Sequence, residues 1–542
     1  MPENTDLLVL AGAILTPTAL AGAPAEAGFV AIRDGVIVGV GTPDAADSWI
    51  PRAQRVVDLG DATLTAGIVD AHIHPVAGIG MTRGVDLSEA ETLEDAQQAL
   101  AAESADAGEW VFGWGLNPIV FGVAAPSMRL FDRLPQDRLA FVQLFDAHSA
   151  VASGAALARA GVTGAETFDD ASSIAVDAEG TPTGYLLEHR AMGRVTRIIP
   201  ALTFEERRDA LVAILRGMAE TGVTIGQMLD SSDPDAFDLF DAIEAEGELP
   251  IRLRVSPMAV PGSTEADWAQ LADLQGRHGR RWEVRGIKLM IDGTIDNGTA
   301  WLREPDTLGE STESLWLSPP EYAAAVEYFH ARGIPTTTHA IGDRGIEFVA
   351  ATLNGLERNV VPHRMEHIET LPDDVLDLIV EAGVSVSMQP THCTHFTRAD
   401  HTDNWSRRLG DERADRAWRT RDLHDKGVVV ALGSDWPVAP YDARATLAAA
   451  MLRRPAGRVD VTPVLPDQAL DAPVALDAHT RGWWRSVGEA GGTIEEGMPA
   501  YLTAFSANPL TADPDAFATA DVLLTVVGGD VEVDRTAVTA RG

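Results

Sequence analysis

Between residues 65 and 435 short apolar runs alternate with stretches of helical periodicity, and that alternation is the strongest constraint on the fold. Eight runs read as strands. The first leads from Thr65 into His74. The others are Gly222–Gln227, Ile251–Val255, Gly286–Met290, Thr336–His339, His363–His367, Val384–Met388 and Val428–Asp435. Strands separated by helices pair in parallel. Eight such units predict an α/β fold, a (β/α)8 TIM barrel of roughly 250 residues at about 30 per unit.

The spacing tests this. His339 to His367 is 28 residues, one unit, and His367 to Asp435 is 68, two units with an extra loop. His74 to Gly222 is 148 residues, far more than one unit needs. A large insertion after strand 1, about 76–200, is therefore expected. It carries its own apolar run, Leu139–Phe145, and a structureless loop of that length is against the norm for compact domains. Both ends of the chain are β-rich and punctuated by turns, as in Asp6–Leu10, Gly28–Ile32, Val36–Val40, Tyr501–Phe505 and Val522–Val527. The expected domains are a small β-sandwich built from both termini (1–64 and 486–542) and a barrel over 65–485.

Net charge is −39, so the chain lacks the basic surface that nucleic acid or anionic lipid requires. The single cysteine, Cys393, allows neither an intrachain disulfide nor a cysteine-based zinc site. The start is not basic and no run of about 18 apolar residues occurs, so neither a signal peptide nor a membrane span is expected, and a cytoplasmic location is.

Catalytic groups in such barrels sit at the C-terminal ends of strands. His72 and His74 are two apart, hence on one strand face, where both can reach one ion. Lys288, His339, His367 and Asp435 fall at or near the ends of later strands. Imidazole and carboxylate suit zinc and related divalent ions. Lys288 joins them only if modified: CO2 capture as a carbamate supplies two oxygen donors, and a snorkelling or ion-paired lysine is the competing reading. His363 competes with His367, being four residues away on the same strand face. The run His392-Cys393-Thr394-His395 reads as a rim loop with His392 near substrate, or as a second metal site.

In these stretches the chain resembles the amidohydrolase superfamily and, within it, amidohydrolase family 3, the YtcJ-like group that includes N-substituted formamide deformylases. The resemblance rests on Gly67–His74, Asp146–Ala150, Pro182–Glu188, Gly286–Gly293, His339–Asp343, Arg364–His367, Ser387–His392 and Leu432–Pro437, in order along nearly the whole chain. It implies a metal-dependent hydrolase of amide-type C–N bonds in a small molecule such as an N-substituted formamide or N-acyl compound. His72, His74, His339 and His367 match metal-binding positions, Lys288 a carbamate-bridge position, and Asp435 the aspartate that shuttles the water proton. Asp146 and His148 match motif positions expected near the pocket, His148 as an oxyanion donor. Glu188, His392, Asp292 and Trp436 are expected beside the metal or substrate. One or two divalent ions, zinc first, and a homodimer follow by family analogy. Relatives carry Gly-Trp-Asp where this chain has Gly115-Leu116-Asn117, and an Arg before Thr-Ala where it has Gly298-Thr299-Ala300, so no relative's substrate transfers directly. A cyclic amide, carbamate or ester hydrolase on the same scaffold, and a non-catalytic ligand-binding barrel, are the rival readings.

Overall fold

The computed structural model describes residues 5–536 except 89, 105–107, 123, 146–148, 169–171, 230–234, 317 and 358–360. The chain forms two compact units. One comprises Met1–His74, Val212–Asp435 and Pro440–Gly542; the other comprises Pro75–Leu211 and Trp436–Ala439. Among the described residues no helix is long and apolar enough to cross a membrane.

In the first unit, strands from both ends of the chain join in one mixed sheet of eight. Its order is Asp530–Asp534, Val522–Val527, Leu502–Phe505, Thr63–Ala66, Thr5–Ile14, Glu26–Arg33 and Val36–Gly41, with Ala53–Asp58 also paired to Thr5–Ile14. The join is the antiparallel pairing of Leu502 with Ala66 and Phe505 with Thr63. Strand alternation sends Leu7 and Val9 into a cluster with Val30, Ile32, Leu64, Leu502 and Leu524, and sends Leu8 to the opposite face with Phe29 and Ala31. Each such side chain contributes about 1.5–3 kcal/mol on burial.

The chain then passes through Gly67 straight into the first central strand, Ile68–Ile73. A Cβ at Gly67 would strike the Thr224 side chain and the backbone of Tyr501, so glycine is required by close approach. The central strands are all parallel and form two ladders. One runs Trp282–Val284, Arg252–Val255, Val223–Met228, Ile68–Ile73; the other runs Ile287–Met290, Thr336–Ala340, Arg364–His367, Ser385–Met388, Val430–Leu432. All eight expected strands are present, and Trp282–Val284 is an extra short one joined to the next through Arg285-Gly286. Among the described residues the two ladders do not pair into one continuous ring. Single links cross between them: Met258 pairs with Lys288, and the Asp435 N–H donates to the His72 carbonyl at 2.8 Å. Nearly every residue in these strands is buried, which is why they read as continuous apolar runs rather than alternating ones.

His363 is not the competitor of His367 that the strand spacing suggested. It precedes the strand, at the end opposite to His367. There the Thr336 N–H donates to His363 Nδ1 at 3.0 Å, so that nitrogen is an acceptor and Nε2 carries the proton. His363 Nε2–H then donates to His330 Nδ1 at 2.8 Å, and His330 Nε2–H donates to the Glu357 carbonyl at 3.0 Å. Burial, with the charge of His330, pushes His363 down to about 3. The neutral ring is favoured in the fold, so its stabilisation is full above the unfolded value near 6.5 and is lost as pH falls from there toward 3. Between pH 7 and pH 5 the wild type should lose about 2 kcal/mol more stability than H363N, measured by urea unfolding at both pH values. Equal losses in the two proteins would refute this.

The second unit is built on a six-stranded sheet ordered Ser173–Val176, Pro182–Leu187, Ser149–Ala152, Leu139–Leu144, Trp110–Leu116, Val85–Asp86. The apolar run at Leu139 is a strand covered on both faces. Ala140, Val142 and Leu144 pack with Leu100 and Val111, whereas Leu139 and Phe141 pack with Leu157, Ile174 and Leu186.

Candidate metal centre

The strand Ile68–Ile73 is anchored at its end by Asp70. This buried carboxylate accepts from the Ser434 N–H at 2.9 Å, from the Ser434 hydroxyl at 2.6 Å and from the His72 N–H at 3.2 Å. Burial pushes Asp70 up to about 7 against those bonds. Gly433 passes so close that a Cβ would lie 2.7 Å from the His72 nitrogen. The segment Gly433–Asp435 is thereby held against His72 beyond the end of the strand Val430–Leu432.

His72 is buried and its tautomer is set. Nδ1–H donates to Glu366 at 2.7 Å, which leaves the Nε2 lone pair directed into the centre. That Nε2 lies 3.2 Å from His74 Nε2 and 3.3 Å from Asp435 Oδ1; His74 Nε2 is 3.0 Å from the same oxygen. Asp435 Oδ2 faces His367 Nδ1 at 4.0 Å and His392 Nε2 at 3.7 Å. Ligand bonds of about 2.0–2.2 Å put atoms sharing one ion roughly 3–4 Å apart, so these separations fit. His72, His367 and Asp435 each present a donor atom, all within 4.8 Å of one another. His367 Nδ1, His392 Nε2 and Asp435 Oδ1 are buried without a well-formed hydrogen bond. Leaving a polar atom so costs about 1–3 kcal/mol. Three orphaned donors of electron pairs lie beside His72 and His74, and His72, His367 and Asp435 are placed so that they could hold a metal ion.

His339 sits in Thr336–Ala340 with its ring centroid 4.5 Å from that of His367. Its Nε2–H donates to the Gly293 carbonyl at 3.0 Å. Asp292 anchors the adjoining loop, accepting from the N–H groups of Trp301, Ile341 and Gly342 at 2.9, 3.1 and 2.8 Å, and lies 3.8 Å from His339 Nε2. Lys288 is 2% exposed, so its head does not snorkel to water. Burial lowers its ammonium to about 8, with Glu366 and Asp435 opposing. Burial pushes the Asp435 carboxyl up, but the contact with His74 overrides it and holds it below the usual range. Burial and the surrounding positive charges hold His72 and His367 well below the ordinary histidine value, so both rings stay neutral.

His367 and Asp435 both adopt left-handed backbone, at φ 72° and 60°. Such non-glycine conformations cost about 1–3 kcal/mol and cluster at functional sites. At His367 the consequence is visible. Glu366 and His367 are consecutive, yet both lie against His72, which regular strand alternation forbids.

The structure thus brings together His72, His74, His339, His367, His392 and Asp435, with Asp292 beside them. Glu188 and Trp436 belong to the second unit, where Glu188 opens the helix Glu188–Thr196 and Trp436 packs over Gly78. Asp146 and His148 lie outside the described residues.

Sequence reasoning gave no role to Asp70, Arg364 or Glu366. Arg364 Nε donates to Glu366 at 2.6 Å and its Nη2 to the Ala71 carbonyl at 2.8 Å, so Arg364 fixes the carboxylate that fixes His72. The available signal was a pair of opposite charges two apart, hence on one face of the strand Arg364–His367. Such a partner sets ligand orientation and basicity. E366Q should weaken metal binding by about 10- to 100-fold, read by metal titration of the stripped protein; unchanged affinity would remove Glu366 from the centre.

The model of a family described as "Amidohydrolase family" matches residues 55–533. The chain is 25% identical to the amidohydrolase YtcJ of Bacillus subtilis over 525 residues, 93% of this chain and 96% of that protein. It is 22% identical to the N-substituted formamide deformylase of Arthrobacter pascens over 570 aligned positions, 99% of this chain and all of that one. Among solved structures, an uncharacterized metal-dependent hydrolase from Pyrococcus horikoshii OT3 shares its fold with TM-score 0.72 and 23% identity. That match covers 94% of this chain and 99% of the other.

Proposed function

This chain belongs to the amidohydrolase family, and from that premise we propose a metal-dependent hydrolase of an amide-type C–N bond in a small molecule. The N-substituted formamide and N-acyl classes are the first candidates, in keeping with the name of the Arthrobacter relative. On this reading the two parallel ladders are the wall of a (β/α)8 barrel over 65–485. The second unit is the insertion after its first strand, and the sheet of both termini is a small sandwich. Family analogy adds a homodimer in the cytoplasm, which light scattering and fractionation would test.

The observation that carries the function is the convergence of orphaned donors on Asp435. His72, His74 and Asp435, with His339, His367 and a carboxylated Lys288, would hold one or two divalent ions, zinc first. Such an ion, when bound, supplies Lewis-acid polarisation of the carbonyl and an acidified water. Asp435 then takes the proton of the attacking water and returns it to the leaving nitrogen, so the amide plus water yields a carboxylic acid and an amine. Glu366 and Asp70 hold the ligand-bearing segments still. His392 faces the same centre, and Asp292 braces the loop beside His339.

The test is metal analysis of the purified protein, then a panel of N-substituted formamides, N-acyl amines, cyclic amides, carbamates and esters before and after chelation. Expected is a stoichiometric divalent metal and amide hydrolysis abolished by chelator and restored by metal. Full activity in metal-free protein would overturn the reading. Turnover confined to esters or cyclic amides would move the substrate class, and metal without turnover of any of them would favour a binding barrel.

A further inference from the structure

His392 lies on the short helix Pro390–Phe396 that follows the strand Ser385–Met388. Its ring is buried and stacks on His367 with centroids 6.1 Å apart and planes 13° from parallel. Its Nε2 is buried without a hydrogen-bond partner and lies 3.7 Å from Asp435 Oδ2.

Two neighbouring imidazoles are anchored through one ring nitrogen. His72 is held through Nδ1 by Glu366 and turns Nε2 inward. His339 is held through Nε2 by the Gly293 carbonyl. Ligating imidazoles donate their other N–H to a carbonyl or carboxylate, which sets the tautomer. The Asp435 carboxylate also divides the histidines. Oδ1 faces His72 and His74, whereas Oδ2 faces His367 and His392. The neighbouring His395 gives Nδ1 to the Thr391 carbonyl at 3.0 Å, and its ring packs edge-on against Phe396.

We propose that His392 is a protein ligand on the Oδ2 side of the centre, completing with His367 and Asp435 a half-site for a divalent ion. This rests on the metal-dependent reading above. It adds an imidazole to the expected ligand set, and it assigns the His392–His395 run to one metal-facing histidine and one structural one.

The experiment loads stripped wild type, H392A, H392N and H395Q with Co(II), and reads stoichiometry, affinity and the visible ligand-field spectrum. H392N keeps a polar amide at the position while removing Nε2, which separates ligation from folding. Expected is an affinity drop of about tenfold or more and an altered Co(II) spectrum in both His392 variants, with H395Q like wild type. Wild-type stoichiometry, affinity and spectrum in H392N or H392A would overturn the assignment, whatever happens to turnover. Should neither variant fold, the exchangeable imidazole N–H resonances shifted by Co(II) in the wild type decide: five support the proposal and four oppose it. If the wild type itself binds no divalent ion, the metal-dependent reading has failed, and this assignment with it.

Discussion

Asp435→Asn should lower kcat by about 10³- to 10⁴-fold with KM changed far less, the upper range for loss of a positioned proton acceptor. The substitution is nearly isosteric, so the tie between the Asp435 N–H and the His72 carbonyl survives. What changes is the side chain: an amide cannot take the water proton, and it offers one oxygen where the carboxylate offers Oδ1 to His72 and His74 and Oδ2 to His367 and His392. Assays with excess metal separate the lost proton acceptor from weakened metal binding. If saturating metal restores wild-type kcat, Asp435 is only a ligand and the proton leaves by another route. Because the fold holds this carboxyl below its usual range, it is ionised and ready to accept a proton throughout the neutral pH range.

Lys288→Met should be the second large effect, removing about tenfold or more in metal affinity and most of the activity together. The reason is electrostatic. An unmodified ammonium among converging ligands repels a divalent cation, whereas a carbamate attracts it. Burial lowers Lys288 to about 8, so near that pH about half of it is the free amine. An ordinary lysine would be under about 1% free amine at the same pH, so capture of CO2 is favoured by about a hundredfold. Protein reconstituted with 13C-bicarbonate and a diamagnetic divalent ion should show one carbamate carbon signal that is absent from K288M. Full activity in K288M, or no labelled carbon in an active wild type, would remove the carbamate.

How far the site could be read from sequence depended on whether a residue's place follows from strand period. His72 and His74 were legible because two residues apart on a strand is a geometric statement. Lys288 stood out as a charge inside an apolar run. His367 was legible only through its place at the end of a strand, and the face argument that set it level with His363 failed. The left-handed turn at His367 breaks the alternation, and Thr336 and His330 claim His363 at the other end. Glu366 and Arg364 acquire their roles only across the fold, from His72 and the Ala71 carbonyl nearly three hundred residues away. The His392–His395 run was ambiguous because sequence does not say which imidazole faces Asp435.

Legible in the residues alone were the alternation of strands and helices, the β-rich character of both ends, the folded nature of the long segment around Leu139, and the residue types of a candidate metal centre. Those follow from periodicity and burial, which are local. Tertiary structure decided the rest: which nitrogen of each histidine is anchored and which is free, that Asp435 divides the imidazoles between its two oxygens, and that His367 leaves the regular strand to join them. Each of these depends on a hydrogen-bond partner or a backbone angle set by packing between distant segments, and no local pattern encodes that.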